Sequence, residues 1–315
     1  MAVIYFTNKD LDNLELVSDI GREGEISIYN MPYGKRSKTN YEALKGMVIK
    51  SYKDDSVFKA YLGDQEHGNY VENKYQKILA YSKYAPDNFK FLNIPQGPIY
   101  LNKKFYASYQ EYINPSVSLS MKCGDIHSSE FRNLDLMIHF AKQMQECIRD
   151  ELHPLDIYTD DLHLCNILVD KNNNIHFIDV DSFRIGKYAE SSYYLRTLDY
   201  SDPTYRSLIQ NNSKYLEDGI LRSSKQKDIF HIYEYFIQLV TKANIDKLLP
   251  NQIYKLLENA NLPNEFIDRF SLCFDNTVSN EFIPLELFEK IRTDYVIDDY
   301  AYFLRRSSYC KLKRK

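Results

Sequence analysis

One segment, residues 158–186, constrains more than any other what this chain can fold into. Two short apolar runs, residues 167–169 and 175–178, are separated by the polar residues 170–174, of which three are asparagine. Because asparagine tolerates the left-handed backbone that tight turns require, this pattern predicts a β-hairpin. Such a hairpin reverses the chain and brings the residues at its two ends together.

Polar residues with metal-binding side chains lie at the ends of this predicted hairpin. Asp161 precedes the first run, Asn166 leads into it, and Asp179 follows the second run. Two carboxylates and an amide oxygen suit a hard divalent cation such as Mg²⁺, which prefers oxygen ligands. The segment therefore predicts a magnesium site. The structural alternative is a surface hairpin whose Asp and Asn residues only form turns.

The turn residues also resemble a calcium-binding EF-hand loop, with Asp170, Asn172 and Asn174 at alternating positions and Asp181 at position twelve. Position six of such a loop is glycine, and here it is Ile175. The predicted flanks are strands, whereas an EF-hand has helices. The sequence therefore favours the hairpin.

Strand-like patterns dominate the first third of the chain. The predicted strands cover residues 16–18, 26–29, 46–52, 99–101 and 105–113. A helix is predicted over residues 71–84, with Tyr75, Ile78, Leu79 and Ser82 on one side.

Helical patterns dominate the rest of the chain. A helical period runs through residues 134–152, residues 229–240 are apolar on most sides, and amphipathic helices follow over residues 252–291. This order predicts an α+β fold with a small β-rich lobe followed by a larger helical lobe. A ligand site is expected where the lobes meet, because clefts at domain interfaces are common binding sites.

Composition excludes several classes of protein. A hydrophobic fraction of 44% over 315 residues excludes a mainly disordered chain, and a net charge of −4 excludes a wholly basic nucleic-acid coat. Five cysteines without a Cys-x-x-Cys pair are typical of reduced thiols, so a cytoplasmic protein without a membrane span is expected. Cys165 is predicted to be a small packing residue rather than a nucleophile.

The sequence Asp-Leu-His-Leu-Cys-Asn, from Asp161 to Asn166, resembles the catalytic loop Asp-x-x-x-x-Asn of the protein kinase-like superfamily. Asp179-Val180-Asp181 is similar to its Asp-Phe-Gly metal-binding motif. The resemblance implies that Asp161 orients and deprotonates the acceptor hydroxyl. It also implies that Asn166 and Asp179 hold Mg²⁺ on the phosphates of ATP.

The first third of the chain contains a segment that resembles the glycine-rich loop of kinases. Residues 21–26 read Gly-Arg-Glu-Gly-Glu-Ile, so that two glycines, Gly21 and Gly24, are present, whereas the second and third glycine positions of Gly-x-Gly-x-x-Gly carry Glu23 and Ile26. The resemblance implies that Gly21 and Gly24 cover the nucleotide phosphates.

Lys50 follows Val-Ile in a predicted strand and resembles the lysine that grips the α- and β-phosphates of ATP. The alternative is a strand lysine that points to solvent. The resemblance implies a glutamate on the next helix as its charge partner, for which Glu72 fits best and Glu66 is the rival. Glu111, at the end of the predicted hinge strands, is a further nucleotide-binding candidate.

Two later residues fit the same resemblance. Asp228 opens the predicted buried helix, as an aspartate opens the large central helix of kinases and there holds the catalytic loop by hydrogen bonds. A plain N-cap role is the alternative for Asp228. Asp202, followed by Pro203, lies where kinases end their activation segment.

Two departures from the kinase pattern bear on mechanism. Asp160 stands where regulated kinases have the arginine that reads an activation-loop phosphate, which argues against that control. His163 stands where Ser/Thr protein kinases have lysine, and Asp-Leu-His also occurs in aminoglycoside and choline phosphotransferases. Against that branch, Ile-Asp-Val-Asp-Ser-Phe over residues 178–183 looks like a set of atypical bacterial protein kinases.

The resemblance thus implies a two-lobed protein kinase-like fold with an N-lobe over residues 1–113, a C-lobe over 114–300 and a tail over 301–315. The expected function is phosphoryl transfer from ATP, with Mg²⁺, to a protein serine or threonine; His163 joins Asp161 and Lys50 as a catalytic candidate. A small-molecule kinase and a pseudokinase scaffold remain as alternatives.

The partners expected from the sequence are few. The phosphate acceptor is a hydroxyl of a protein or of a small molecule. The tail carries six basic residues from Arg305 onward, which indicate a solvated terminus or an electrostatic docking strip for nucleic acid or anionic lipid. Elsewhere no nucleic-acid partner is expected, and the oligomeric state stays open.

Overall fold

A computed structural model of the chain describes residues 3–18, 25–30, 40–52, 70–84, 86–124, 133–191, 203–210, 213–217, 220–241, 243, 245 and 248–291. These residues form a mixture of strands and helices, which confirms the predicted α+β class.

The strands form one six-stranded sheet and three small ones. They are β1 Ile4–Phe6, β2 Leu14–Ser18, β3 Ile26–Tyr29, β4 Met47–Ser51, β5 Gly97–Leu101, β6 Lys104–Glu111, β7 Ser116–Ser118, β8 Ile157–Tyr158, β9 Ile167–Asp170, β10 Ile175–Phe177, β11 Arg184–Ile185, β12 Leu216–Glu217 and β13 Ile220–Leu221. The large sheet has the order β1-β5-β6-β4-β3-β2, and a three-stranded sheet has the order β10-β9-β7. The predicted hairpin is therefore present as β9 and β10.

The large sheet confirms the five strands predicted for the first third of the chain and adds β1 at its edge. β1 pairs in parallel with β5, with Ile4 opposite Ile99. Three residues are too few for an alternating pattern, so the sequence did not reveal β1. The turn between β5 and β6 uses Asn102 and Lys103, both with positive φ.

A compact apolar cluster covers one face of this sheet. Its buried members are Ile4, Phe6, Tyr29, Leu44, Ile49, Ala107, Tyr109 and Ile99. Because side chains alternate along a strand, burial of Ile49 on this cluster places its neighbour Lys50 on the opposite face of β4.

The helices are α1 Asn8–Leu11, α2 Tyr70–Tyr81, α3 Leu119–Gly124, α4 Leu134–Glu146, α5 Pro203–Gln210, α6 Lys225–Thr241, α7 Pro250–Asn259, α8 Asn264–Leu272 and α9 Leu285–Lys290. Residues throughout α6 are buried, as its sequence predicted. The helical period predicted over residues 134–152 continues past α4 as a π-helix, Cys147–Leu152.

The buried face of α2 differs from the predicted one. It carries Tyr70, Asn73, Lys74, Lys77, Ile78 and Tyr81, whereas Tyr75 and Leu79 are only half-buried. The prediction placed Tyr75, Ile78, Leu79 and Ser82 on one side, and of these Ile78 is buried. Contacts of Lys74 and Lys77 with a distant part of the chain, described below, account for the difference.

Contacts divide the chain into two compact units. The first comprises Met1–Ser118, Leu155–Asn172 and His176–Thr197, and the second comprises Leu119–Pro154, Asn173–Ile175 and Leu198–Lys315. The first unit joins the large sheet to most of the 158–186 segment, and the second contains α4 and α6. The lobe boundaries expected from the resemblance stay a prediction. No helix in the described ranges is long and apolar enough to cross a membrane.

Within the second unit, Gln145 on α4 forms a paired contact with the main chain of Ile283. Its Nε2 donates to the Ile283 carbonyl at 2.7 Å, and the Ile283 N–H donates to its Oε1 at 2.9 Å. Both residues are buried. Loss of this side chain would leave two buried main-chain groups without these partners.

Replacement of Gln145 by Leu is therefore expected to lower the free energy of unfolding by about 2–4 kcal/mol. Urea unfolding of the full chain measures this change. Lys142→Gln on the same helix is the control, because its ion pair with Glu289 is on the surface and such pairs contribute about 1 kcal/mol or less. Equal unfolding midpoints for Gln145→Leu and the parent would contradict the expectation.

Candidate functional site

Lys50 lies on β4, one of the inner strands of the large sheet. Its neighbours across the sheet are Ile26 on β3 and Ser108 on β6. The side chain is buried, and its Nζ binds Asp179 and contacts both carboxylate oxygens of Asp181, at 3.0 and 3.2 Å. Lys50 is therefore not a solvent-facing strand lysine.

The two aspartates are positioned by a short turn after β10. Asp179 has a left-handed backbone, with φ 62° and ψ 27°, and a single 3₁₀ turn, Val180–Ser182, follows it. The Ser182 hydroxyl lies 3.0 Å from the carbonyl of Asp160 and 2.8 Å from that of Asp179. This turn brings the carboxylates of Asp179 and Asp181 into contact with the same ammonium group, that of Lys50.

Asp181 is the most buried carboxylate of the site, with 1% of its surface exposed. Its Oδ2 lies 3.0 Å from the Nζ of Lys74 and accepts a hydrogen bond from the Tyr52 hydroxyl at 3.2 Å. Burial by itself raises the pKa of this carboxyl, but the charges of Lys50 and Lys74 outweigh it and hold the pKa far below its usual value. Asp181 is therefore ionised at neutral pH.

Tyr52 adds a neutral hydrogen-bond donor to the cluster of Lys50, Lys74 and Asp181. Burial and the charge of Asp181 raise the pKa of its phenol far above the usual value. Its hydroxyl consequently keeps its proton and can donate to Asp181, and it also lies 3.0 Å from the hydroxyl of Ser108.

Helix α2 contacts four consecutive residues of the turn. Besides the contact of Lys74 with Asp181, the Nζ of Lys77 donates to the carbonyls of Ser182 and Phe183 at 3.2 and 2.9 Å. The Tyr81 hydroxyl donates to the carbonyl of Val180 at 2.9 Å. These contacts fix α2 against the segment that carries the predicted metal ligand.

Glu72, the expected partner of Lys50, lies on the exposed side of α2. Its Oε1 accepts a hydrogen bond from Gln76 at 2.6 Å. Because residues of an α-helix are spaced by 100°, burial of positions 74 and 77 turns position 72 towards solvent. Lys50 is paired with Asp179 and Asp181 instead of with Glu72, and the rival Glu66 lies outside the described residues.

The predicted catalytic loop lies in the same compact unit. Asp161 has a positive φ of 49° and an exposed carboxylate, and the Nδ2 of Asn166 donates to the Asp161 carbonyl at 2.9 Å. The Ile178 N–H in turn donates to the Asn166 carbonyl at 2.9 Å. Asn166 therefore connects the loop of Asp161 to the residue that precedes Asp179.

His163 lies beside Asp161, with its Nε2 at 3.9 Å from the Asp161 Oδ1. Burial lowers the pKa of its imidazole, and the charge of Asp179 offsets part of that effect. Because the pKa is lowered from a value already below 7, His163 is neutral at physiological pH.

Asn166 and Asp179 supply oxygen donors that suit Mg²⁺. The Asn166 amide uses its N–H on the Asp161 carbonyl, so its oxygen is the end left to accept or to coordinate, and Asp179 retains 26% exposure of its side chain. In the described part of the chain no three His, Cys, Asp or Glu side chains cluster as a metal site. The donors present fit a magnesium ion whose other ligands come from water and a nucleotide.

The other nucleotide-binding candidates are placed as follows. Glu111 ends β6 with its side chain exposed, and its carbonyl accepts a hydrogen bond from the Nδ2 of Asn93 at 3.0 Å. It lines a polar cavity together with Asp170 and His176. Gly21 and Gly24 lie outside the described residues.

Residues 202 and 301–315, the expected end of the activation segment and the basic tail, also lie outside the described residues.

Cys165 is exposed rather than packed, which corrects the prediction. It lies in the single turn Leu164–Asn166, within the predicted catalytic loop.

Asp228 is fully buried in the second unit, and its Oδ2 lies 2.9 Å from the Nε2 of His153. It is not the N-cap of α6: it is the fourth residue of the helix, and the Ser224 hydroxyl accepts from the Lys227 N–H at 3.3 Å instead. The role of Asp228 in holding the catalytic loop stays a prediction.

Three residues of the site were not predicted: Asp181, Lys74 and Tyr52. A signal for Asp181 was present in the sequence Asp-Val-Asp. Two carboxylates spaced two residues apart after a strand can both pair with the same cation. Lys74 gave no signal, because a lysine in a polar helix is ordinarily solvated.

Comparison of the chain with models of known protein families, and with curated proteins, finds no match.

Proposed function

We propose that this protein is an ATP- and Mg²⁺-dependent phosphotransferase with a two-lobed protein kinase-like fold, which transfers phosphate to a protein serine or threonine. The observation that carries the proposal is the contact of Lys50 with Asp179, 129 residues apart in sequence, beside the loop that joins Asp161 to Asn166. Four residues with the types and order of a kinase site thus lie in one compact unit.

The exposed Asp161 is suited to orient the acceptor hydroxyl and to accept its proton, because its carboxylate faces solvent where an acceptor can approach. The ammonium group of Lys50 forms an ion pair with Asp179, whose carboxylate is partly exposed. Lys50 would bind the phosphates of the nucleotide. Asn166 and Asp179 would hold Mg²⁺, which neutralises phosphate charge when bound.

A small-molecule kinase is the second candidate, and His163 is the observation that favours it. Ser/Thr protein kinases usually have a lysine there, which is positively charged. A neutral imidazole supplies no such charge but can donate or accept a hydrogen bond. That chemistry suits a small polyhydroxylated or amino-sugar acceptor.

Incubation of the full chain with labelled ATP and Mg²⁺ tests both candidates. Parallel reactions contain no acceptor, a generic protein acceptor, or an aminoglycoside. Label on the chain or on protein supports the first candidate, and label on the small molecule supports the second. Nucleotide binding without transfer to any acceptor would contradict both and favour a pseudokinase scaffold.

Activity is expected not to require phosphorylation of the segment that follows the metal-binding motif. Asp160 replaces the arginine that would read such a phosphate, and contacts from Lys74, Lys77 and Tyr81 already fix α2 to residues 180–183. The initial rate after phosphatase treatment should stay within about twofold of the untreated rate. A large loss that returns on rephosphorylation between Ser182 and Tyr205 would contradict this.

A further inference from the structure

The carboxylate of Asp181 bridges two buried ammonium groups that come from different elements. Its Oδ1 lies 3.0 Å from the Nζ of Lys50 on β4, and its Oδ2 lies 3.0 Å from the Nζ of Lys74 on α2. The side chains of Lys50, Lys74 and Asp181 are 8%, 0% and 1% exposed. A buried charge is stable only when it is paired, so these three residues depend on one another.

The second aspartate on Lys50 differs from the first in its surroundings. Asp179 keeps 26% exposure and is the carboxylate placed to bind a metal, whereas Asp181 is enclosed and receives a further hydrogen bond from Tyr52. If a bound cation takes Asp179, the carboxylate that stays with Lys50 is Asp181. The two aspartates are therefore suited to different tasks.

Helix α2 presents a lysine where the resemblance implies a glutamate. Lys74 occupies the buried side, and Glu72 is on the exposed side with Gln76. A helix lysine cannot pair with Lys50 directly, because like charges repel. Asp181 resolves this by lying between the two cations, and it also joins α2 to β4.

We propose that Asp181 is the positioning residue of this site: it holds Lys50 for the nucleotide phosphates and, through Lys74, joins α2 to β4, in the role that kinases give to a helix glutamate. This inference rests on the proposed function for its nucleotide half, whereas the pairing of Lys50 with Asp181 is independent of it.

The pairing is tested by unfolding of the full chain with Lys50→Met, Asp181→Asn and the double variant. The two changes should be non-additive in the unfolding midpoint, because each removes a buried charge with which the other residue is paired. Lys50→Met combined with Glu72→Gln is the matched control and should be additive. Additive behaviour of Lys50→Met with Asp181→Asn would overturn the inference, whether or not the protein binds a nucleotide.

Asp181→Asn alone leaves two buried cations without their shared anion and is expected to be unstable. The second variant, Lys74→Met with Asp181→Asn, removes one charge of each sign and should recover most of the lost unfolding midpoint. This recovery makes the nucleotide measurement possible on a folded protein.

The nucleotide half is tested by titration with a fluorescent ATP analogue and Mg²⁺. Lys74→Met/Asp181→Asn should bind about 10- to 100-fold more weakly than the parent despite its recovered stability, and Glu72→Gln should bind within about twofold. A purely structural role would restore affinity together with stability, and that result would overturn the positioning role. If the parent itself binds no nucleotide, the proposed function fails, and the unfolding cycle alone decides the pairing.

Discussion

Replacement of Asp161 by Asn is expected to lower the rate of phosphoryl transfer by about 10²–10⁴-fold, or roughly 3–5 kcal/mol of barrier, while ATP affinity is retained. The Asp161 carboxylate is exposed at the start of the predicted catalytic loop, so it can reach an acceptor hydroxyl. Asn keeps the shape of the side chain and removes its capacity to accept a proton. It also tolerates the positive φ of this position, so the loop should keep its conformation.

Lys50→Ala provides the contrasting variant for this experiment. Lys50 would act on the nucleotide phosphates, so its loss should weaken productive ATP binding as well as turnover. ATP titration measures the affinity of both variants, and single-turnover kinetics measures the chemical step. If Asp161→Asn turns over like the parent, the catalytic-loop interpretation fails and a scaffold becomes the better account of the chain.

Local patterns predicted much of the fold. The hairpin of β9 and β10 followed from two apolar runs around an asparagine turn, and Asn173 indeed has a positive φ of 61°. α6 followed from a helix apolar on most sides. In these cases short-range periodicity and turn chemistry agree with the tertiary structure, which is the condition under which sequence reasoning succeeds.

The site was predictable only where its residues follow motif spacing. Lys50 and Asp179 were expected to serve one ligand, and the structure brings them into contact. The pairing of Lys74 with Asp181 joins residues more than a hundred positions apart, and nothing local marks it. A buried lysine is stabilised by its distant partner, so the burial of α2 could not be read from its own sequence.

The same contacts explain why the buried face of α2 differs from the predicted one. The sequence pattern placed Tyr75, Ile78 and Leu79 on one side, but the buried face, which includes Ile78, also presents Lys74 and Lys77 to a carboxylate and to main-chain carbonyls. Each of these contacts offsets the free-energy cost of removing an ammonium group from water. Helix orientation here follows polar partners as well as apolar area.

Asp179→Asn is expected to reduce phosphoryl transfer on the order of 10³-fold or more, because it removes the carboxylate that would hold Mg²⁺. The fold should survive the change for two reasons. Asn is among the residues that tolerate the left-handed backbone of this position, and Lys50 retains Asp181 as a charge partner. The thermal midpoint should therefore stay within about 5 °C of the parent.

The loss should depend on metal concentration, because the remaining ligands bind Mg²⁺ more weakly. Initial rates measured over a range of Mg²⁺ concentrations should show partial recovery of the variant at high Mg²⁺, whereas the parent saturates early. Asp170→Asn is the matched control: it lies on the same hairpin, its Oδ1 accepts from the Asn172 N–H at 2.8 Å, and its Oδ2 lies 3.4 Å from the Nε2 of His176. An amide keeps an oxygen for the first contact and can donate its N–H in the second. It should keep activity within about twofold of the parent. Full activity of Asp179→Asn at low Mg²⁺ would show that this carboxylate does not hold the metal, and the assignment of Asn166 as its partner would fall with it.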